Sequence, residues 1–324
     1  MKPALFMGDP SYFRIRGGHN PHTRTRFGRL KKVDRERAIR QWHTLAKMLV
    51  KHGALVFVMP PVPEHPGTAF PANAGFMTER CFYLSNLIGR RQGERKYYQE
   101  FLKGLGVQTK EFSSYHFEGE ADFFPTRSGY LFTFGKIERQ RFVFRFGIPP
   151  YRRLYGFRSE IGALKTLESV VQPHPIIPLE LVQETHYHGD TCAFAFGKER
   201  EYLAVYLEAF SKESQERLKE IFGNQLLVLG REDGERFAAN SLQLTTDQGP
   251  FLFMPEGCSE KFLSEIRARG VTPVLVDVSE FMQTGGGSVK CLIATLGPME
   301  LEDPSVPLSV LEERRKTLHH QGQL

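Results

Sequence analysis

Cysteine is scarce in this chain. Four occur in 324 residues, at 81, 192, 258 and 291, far apart and never in CxxC spacing. That excludes a disulfide-stapled scaffold and a paired-thiol metal knuckle, and it fits a reducing compartment such as the cytoplasm. Long apolar runs are also lacking. No stretch approaches the 18 or so residues of a membrane span, and MKPALFMGDPSYF has no adequate apolar stretch for a signal peptide, so no membrane association is expected. Charge of a single sign is missing too. Lys and Arg number 43 and Asp and Glu 37, interspersed, for a net +6 that is no nucleic-acid signature. The densest basic run, RTRFGRLKK (residues 24–32), reads as a solvated loop rather than an anion patch. Neither GxGxxG nor GxxxxGK[ST] occurs, so no nucleotide cofactor is suggested.

What is present is a recurring unit. Asp34 can cap a helix whose apolar face is Ile39, Trp42, Leu45 and Leu49; Gly53 stops it and the strand ALVFVM follows. ERKYYQEFLKGLG then VQTKEF repeats the pattern, with Tyr98, Phe101, Leu102 and Leu105 as its face. SEIGALKTLESVV then HPIIPLEL is a third copy, stopped by prolines. KESQERLKEIFG then NQLLVLG is the fourth, and SEKFLSEIRARG then VTPVLVDV the fifth. Short strands such as GYLFTFG, TCAFAFG, EYLAVYLE, SLQLTT and PFLFMP lie between them. The helices end near 53, 106, 170, 223 and 270, a period of about fifty. Five such units suit a radial α/β arrangement whose loops converge on a centre; an open α/β sheet is the plainer alternative.

Three polar stretches stand out. FEGEADFF sets Glu118 and Asp122 among aromatics, and ETHYHGDTC puts His186, His188 and Asp190 on one side of a strand-like register. GGGSVKC ends in Cys291, after glycines that permit close backbone approach. Two imidazoles and a carboxylate would also suit zinc or iron, though no further ligand is spaced to complete a metal site. A cysteine nucleophile needs a base, an orienting carboxylate and access. Cys291, His188 and Glu118 could supply them, against the plain reading of Cys291 as a buried small hydrophobe.

Taken together and in order, YFRIRGGHNP, FPANAG, FEGEAD, YHGDTC and GGGSVKC resemble the guanidino-group modifying enzymes of the amidinotransferase superfamily, or penteins. These include arginine deiminases, arginine dihydrolases, dimethylarginine dimethylaminohydrolases and glycine amidinotransferases. The likeness spans about residues 8 to 296. It implies a five-bladed pseudo-symmetric α/β propeller over residues 1–297, with 298–324 a C-terminal tail compatible with a short helix. It further implies Cys291 as nucleophile, His188 as general acid and base, and Glu118 as the carboxylate that orients His188 and touches the guanidinium. Asp190, Asn73, Asn20 and Asp122 become substrate-binding residues, with Arg91 and Arg158 holding a substrate carboxylate. The chemistry implied is hydrolysis of arginine or a close derivative through a thiouronium on sulfur, with no metal and no cofactor. An amidinotransferase, a dimethylarginine hydrolase or a silent guanidino-binding protein are the alternatives, and homo-oligomerisation is left open. One departure matters: many relatives carry Pro-Asp ahead of FxANAG, whereas this chain has Pro66-Gly67. That removes a carboxylate expected to help hold the substrate, and favours one lacking a free α-amino group or bound by other residues.

Overall fold

The computed structural model describes residues 1–299 apart from 18–19, 138 and 147, with no side-chain detail for 139–143, 145 and 148–155. Each predicted helix forms. α1 (Arg35–Lys51) starts where the Asp34 side chain accepts the Arg37 N–H, which satisfies one of the orphan donors of a helix start. It buries Ala38, Trp42, Leu45 and Leu49, with Ile39 only half-buried. α2 (Arg95–Gly104) buries Tyr98, Phe101 and Leu102 as expected. α3 (Leu164–Val171) starts later than its sequence suggested, because Ser159 and Glu160 are engaged elsewhere and a 3-10 turn intervenes. α4 (Lys212–Phe222) and α6 (Glu260–Ala268) are capped by Ser211 and Ser259; between them lies the short α5 (Arg231–Glu235).

Five three-stranded sheets share one plan. A first strand pairs antiparallel with a second, and a helix then crosses to a third strand lying parallel to the second. One unit is β3 (Gly75–Met77), β4 (Phe82–Leu84), α2, β5 (Thr109–Glu111). The next is β6 (Phe123–Thr126), β7 (Gly129–Phe134), α3, β10 (Ile176–Glu180). A two-stranded hairpin, β8 (Arg139–Arg145) with β9 (Ile148–Tyr155), is inserted in that unit and lengthens its interval. Then come β11 (Ala193–Phe196), β12 (Tyr202–Val205), α4, β13 (Leu226–Val228), and β14 (Leu242–Thr246), β15 (Gly249–Pro255), α6, β16 (Thr272–Val276). The remaining unit joins the two ends of the described chain: β17 (Ala294–Met299) pairs antiparallel with β1 (Lys2–Gly8), which runs through α1 to β2 (Leu55–Met59). Pro298 and Met299 therefore belong to β17, not to a tail beginning at 298; the expected helix in the tail lies outside the described residues from 300 onward.

Apolar cores join neighbouring units. Phe6 and Leu55 pack with Phe82, Leu84 and Tyr98; Phe76 and Phe117 with Phe123, Phe132 and Leu167. Leu131 and Leu179 share a core with Phe194, Leu203, Leu252 and Phe262. Leu244, Phe253 and Val274 then pack back onto Leu5, Met7 and Trp42 of the first unit. Among the described residues no helix is long and apolar enough to cross a membrane.

Candidate active site

The repeat places the site. In each unit the chain makes a tight turn just before its first strand, and each turn brings polar groups to the centre. Pro71–Asn73 precedes β3, Gly119–Ala121 precedes β6, Gly189–Thr191 precedes β11 and Lys290–Leu292 precedes β17. These turns carry Asn73, Glu118 with Asp122, His188 with Asp190, and Cys291. The turn before β14 carries Asn240, which the motif reading missed. Its signal was positional: FAANSLQL occupies the place in its unit that FPANAGF and YHGDTCAF occupy in theirs.

The side chains converge. His188 Nε2 lies 2.8 Å from Glu118 Oε2 and 3.4 Å from Asn73 Nδ2, with Asp122 Oδ2 at 4.0 Å. Cys291 Sγ donates to Asp190 Oδ2 at 3.3 Å and accepts from Asn240 Nδ2 at 3.2 Å. The same Asn240 Oδ1 accepts the Ser288 and Cys291 N–H groups, and Nδ2 also donates to Asp190 O. One amide thus fixes the cysteine turn, the sulfur and the aspartate loop.

The approach to Cys291 is a π-helical turn, Phe281–Gly285, followed by the glycines. Gly286 sits at φ +77°, where a Cβ would meet His22 and Asn20 within about 3 Å; at Gly287 a Cβ would lie 2.9 Å from Cys291 Cβ. The glycines therefore let the loop press against the sulfur. Tyr187 secures it by donating to Gly286 O.

Electrostatics follow from burial. Burial pushes Asp190 up to about 6, and it holds the Cys291 thiol well above its ordinary value, helped by the neighbouring Asp190. Burial alone would lower His188, but Asp122, Glu118 and Asp190 outweigh it and raise its pKa. Glu118 is also buried, yet the His188 hydrogen bond and the Arg91 charge bring it down to about 2. Two buried carboxylate oxygens, Glu118 Oε1 and Asp190 Oδ1, have no hydrogen-bond partner. An orphan acceptor in such a place is costly unless a ligand completes it.

A cavity of about 530 Å³ opens onto Cys291, His188, Glu118, Asn73, Asn20, Arg91 and Arg158. A second, of about 520 Å³, lies along the first strands and is lined by Asp190 and Lys290; Lys290 pairs there with the buried Glu120.

Three expected substrate contacts are occupied otherwise. Asp122 accepts from Thr133, Gly189 and Ser159, so both its oxygens are spent holding loops around His188. Asn20 caps its own 3-10 turn and donates to Gly285 O, which leaves one N–H for a ligand. Arg91, expected to grip a substrate carboxylate, points all its donors at protein: Nε and Nη2 to Glu94, Nη2 also to Gly67 O, and Nη1 to Asn73 with Glu118 3.6 Å away. Arg158 stays in the cavity wall, donating to Gly156 O with its guanidinium over the Tyr187 ring. The metal alternative separates in space. His186 bonds Thr191 O and packs on Tyr206 and Phe237, and burial lowers it to about 4, while His188 turns to Glu118.

Five repeated units around a thiol, an imidazole and two carboxylates define a class, and comparison with known proteins agrees. The chain is similar in sequence to dimethylarginine dimethylaminohydrolases and arginine dihydrolases, and it shares the fold of their solved structures. Residues 175–297 match the eukaryotic N,N dimethylarginine dimethylhydrolase family. The chain is 27% identical over 296 residues to the N(G),N(G)-dimethylarginine dimethylaminohydrolase of Mycobacterium tuberculosis, covering 90% of this chain and 85% of that one. It is 26% identical over 268 residues to the bifunctional arginine dihydrolase/ornithine cyclodeaminase of Nostoc sp., covering 82% of this chain but only 34% of that protein, so it spans about a third of that relative's length. In fold it matches the N-terminal domain of the cyanobacterial arginine dihydrolase ArgZ, solved covalently bound to a reaction intermediate. The TM-score is 0.76 at 23% identity, over 91% of this chain and 97% of that one.

Proposed function

We propose that this protein is a cysteine-dependent hydrolase of a guanidino compound, arginine or a close derivative. The observation that carries the reading is the pair of unpartnered buried oxygens, Glu118 Oε1 and Asp190 Oδ1, in a site that also holds a thiol and an imidazole. A planar cation with several N–H donors, seated between Glu118 and Asp190 beside Cys291, would give each a partner. The bound cation also supplies the positive charge that the raised Cys291 thiol lacks, so its proton moves to His188 only when substrate is present.

The steps then balance. Cys291 thiolate adds to the guanidinium carbon, and His188 gives its proton to the leaving nitrogen, which departs as ammonia or an amine. A thiouronium remains on sulfur. Neutral His188 takes a proton from water as the hydroxide adds to the same carbon. Collapse of that adduct expels the thiolate and frees a ureido product, whose excess proton passes to the released amine. Glu118 keeps His188 oriented, and Asn240 keeps the sulfur in place. On this reading residues 1–297, with the last two residues of β17, form the catalytic body. The partner is a small guanidino substrate and the setting is the reducing cytoplasm, where the thiol persists.

A panel of guanidines with product identification tests the reading. Ammonia or an amine should appear with a ureido product or its further hydrolysis product, and Cys291→Ser should lower kcat by about 10⁴-fold or more with the fold retained. Absence of turnover across the panel would leave a binding protein and end the hydrolase reading.

A further inference from the structure

The side-chain space of residue 67 is not empty. A Cβ placed on Gly67 would lie 2.3 Å from Glu94 Oε1 and 3.1 Å from Arg91 Nε. Glu94 is 2% exposed, and both its oxygens are spent. Oε1 accepts from Arg91 Nε at 3.0 Å, and Oε2 accepts from Arg91 Nη2 at 2.8 Å and from the Tyr98 hydroxyl at 3.3 Å. Arg91 is held in turn by Asn73, and by the carbonyl of Gly67 itself. The result is a closed anion–cation pair in the cavity wall. A substrate ammonium could claim Glu94, or a substrate carboxylate Arg91, only by breaking a buried bidentate contact and stranding the other charge.

The remaining surfaces of the cavity point one way. Phe13, Ile15, Phe70 and Ile88 offer apolar walls for a methylene chain. At the mouth the charged side chains are Arg16, Arg90 and Glu64, all exposed, with cations in excess. That arrangement accepts a chain ending in an anion better than one ending in an ammonium or a zwitterion.

We propose that the Glu94–Arg91 pair, admitted by Gly67, is the specificity device of this site, and that it selects an ω-guanidino alkanoic acid carrying no α-amino group. The inference rests on the hydrolase reading above. Glu94 acts here as a specificity-determining residue, since it shapes recognition without touching the reacting atoms.

The test compares kcat/KM of the wild-type protein for 4-guanidinobutyrate, arginine and agmatine, which share a guanidino head and differ in the far end. The guanidino acid should exceed both others by tenfold or more. A smaller ratio, or arginine or agmatine turned over best, overturns the inference while leaving the hydrolase reading intact; no turnover of any guanidine overturns both. The double variant Gly67→Asp with Glu94→Ala removes the side chain that a Cβ at 67 would strike and moves the carboxylate to the other side of the Arg91 guanidinium. If it melts like the wild type, its arginine-to-guanidinobutyrate ratio should rise at least tenfold, chiefly through KM. An unchanged ratio in that folded variant would assign the selectivity elsewhere and sink the role given to Glu94.

Discussion

At the scale of single residues, the site keeps charged groups where an empty protein would rather not have them. Asp190 shows it best. Its folded pKa of about 6 stands above the ordinary 3.8, so the native state binds its proton more tightly than the unfolded chain does. The sign follows from linkage. Stability from this group is fully present below about pH 4 and is lost as pH rises through about 6, a cost of about 3 kcal/mol at neutral pH. Asp190→Asn removes that cost and, with it, an acceptor for the substrate. Urea unfolding should therefore show the variant more stable than the wild type by up to about 3 kcal/mol at pH 7.5, with the difference vanishing near pH 4, while turnover is lost. A variant less stable at pH 7.5 would show that Asp190 is held by partners and not strained by burial. The sequence made Cys291, His188, Glu118 and Asp190 legible, because each closes a motif in a repeated position. It expected Asp122 and Arg91 to contact substrate, whereas in the structure both bond protein groups, and it left Glu94 unseen. Motif spacing puts a residue on a loop; which partners saturate it is decided partly by chain that folds in from elsewhere, as Gly67 and Asn73 reach Arg91 across 24 and 18 positions.

At the scale of elements, the strong amphipathic helices were legible because apolar spacing and caps agree. α1 with Asp34 and α6 with Ser259 begin where the capping residues say. Among the first strands of the units, TCAFAFG and SLQLTT marked β11 and β14, but β3 and β6 left no such signal, being only three and four residues long and following closely on the turns before them. The β8–β9 hairpin was missed because it stands outside the repeat. Among these turns, the one carrying Asn240 makes the sharpest expectation. Asn240→Ala leaves the Ser288 and Cys291 N–H groups buried without an acceptor, each costing roughly 1–3 kcal/mol. Because the sulfur then drifts, kcat should fall about 100-fold with less change in KM. Steady-state kinetics with a denaturation curve check both, and normal kcat in a folded variant would remove Asn240 from the positioning of Cys291.

At the scale of the whole molecule, the fivefold plan depends on its last strand. β17 pairs with β1, and its Thr295 bonds Glu120 from another unit. A chain ending before Ala294 loses both ties and exposes Leu5, Met7 and Phe6, which are buried in the cores on either side. Its urea transition should broaden or disappear by circular dichroism, where the 324-residue chain is expected to unfold cooperatively; an unaltered sharp transition would mean the units are independent of closure.

The order of the five turns along the chain carries one more consequence. Asn73, Glu118, His188, Asn240 and Cys291 emerge during synthesis in that sequence, and His188 and Cys291 are 103 positions apart. The imidazole and its carboxylate are made well before the sulfur they serve. On the proposed hydrolase reading, a ribosome-bound chain thus carries the base without the nucleophile, and the thiol is translated only after four of the five converging turns.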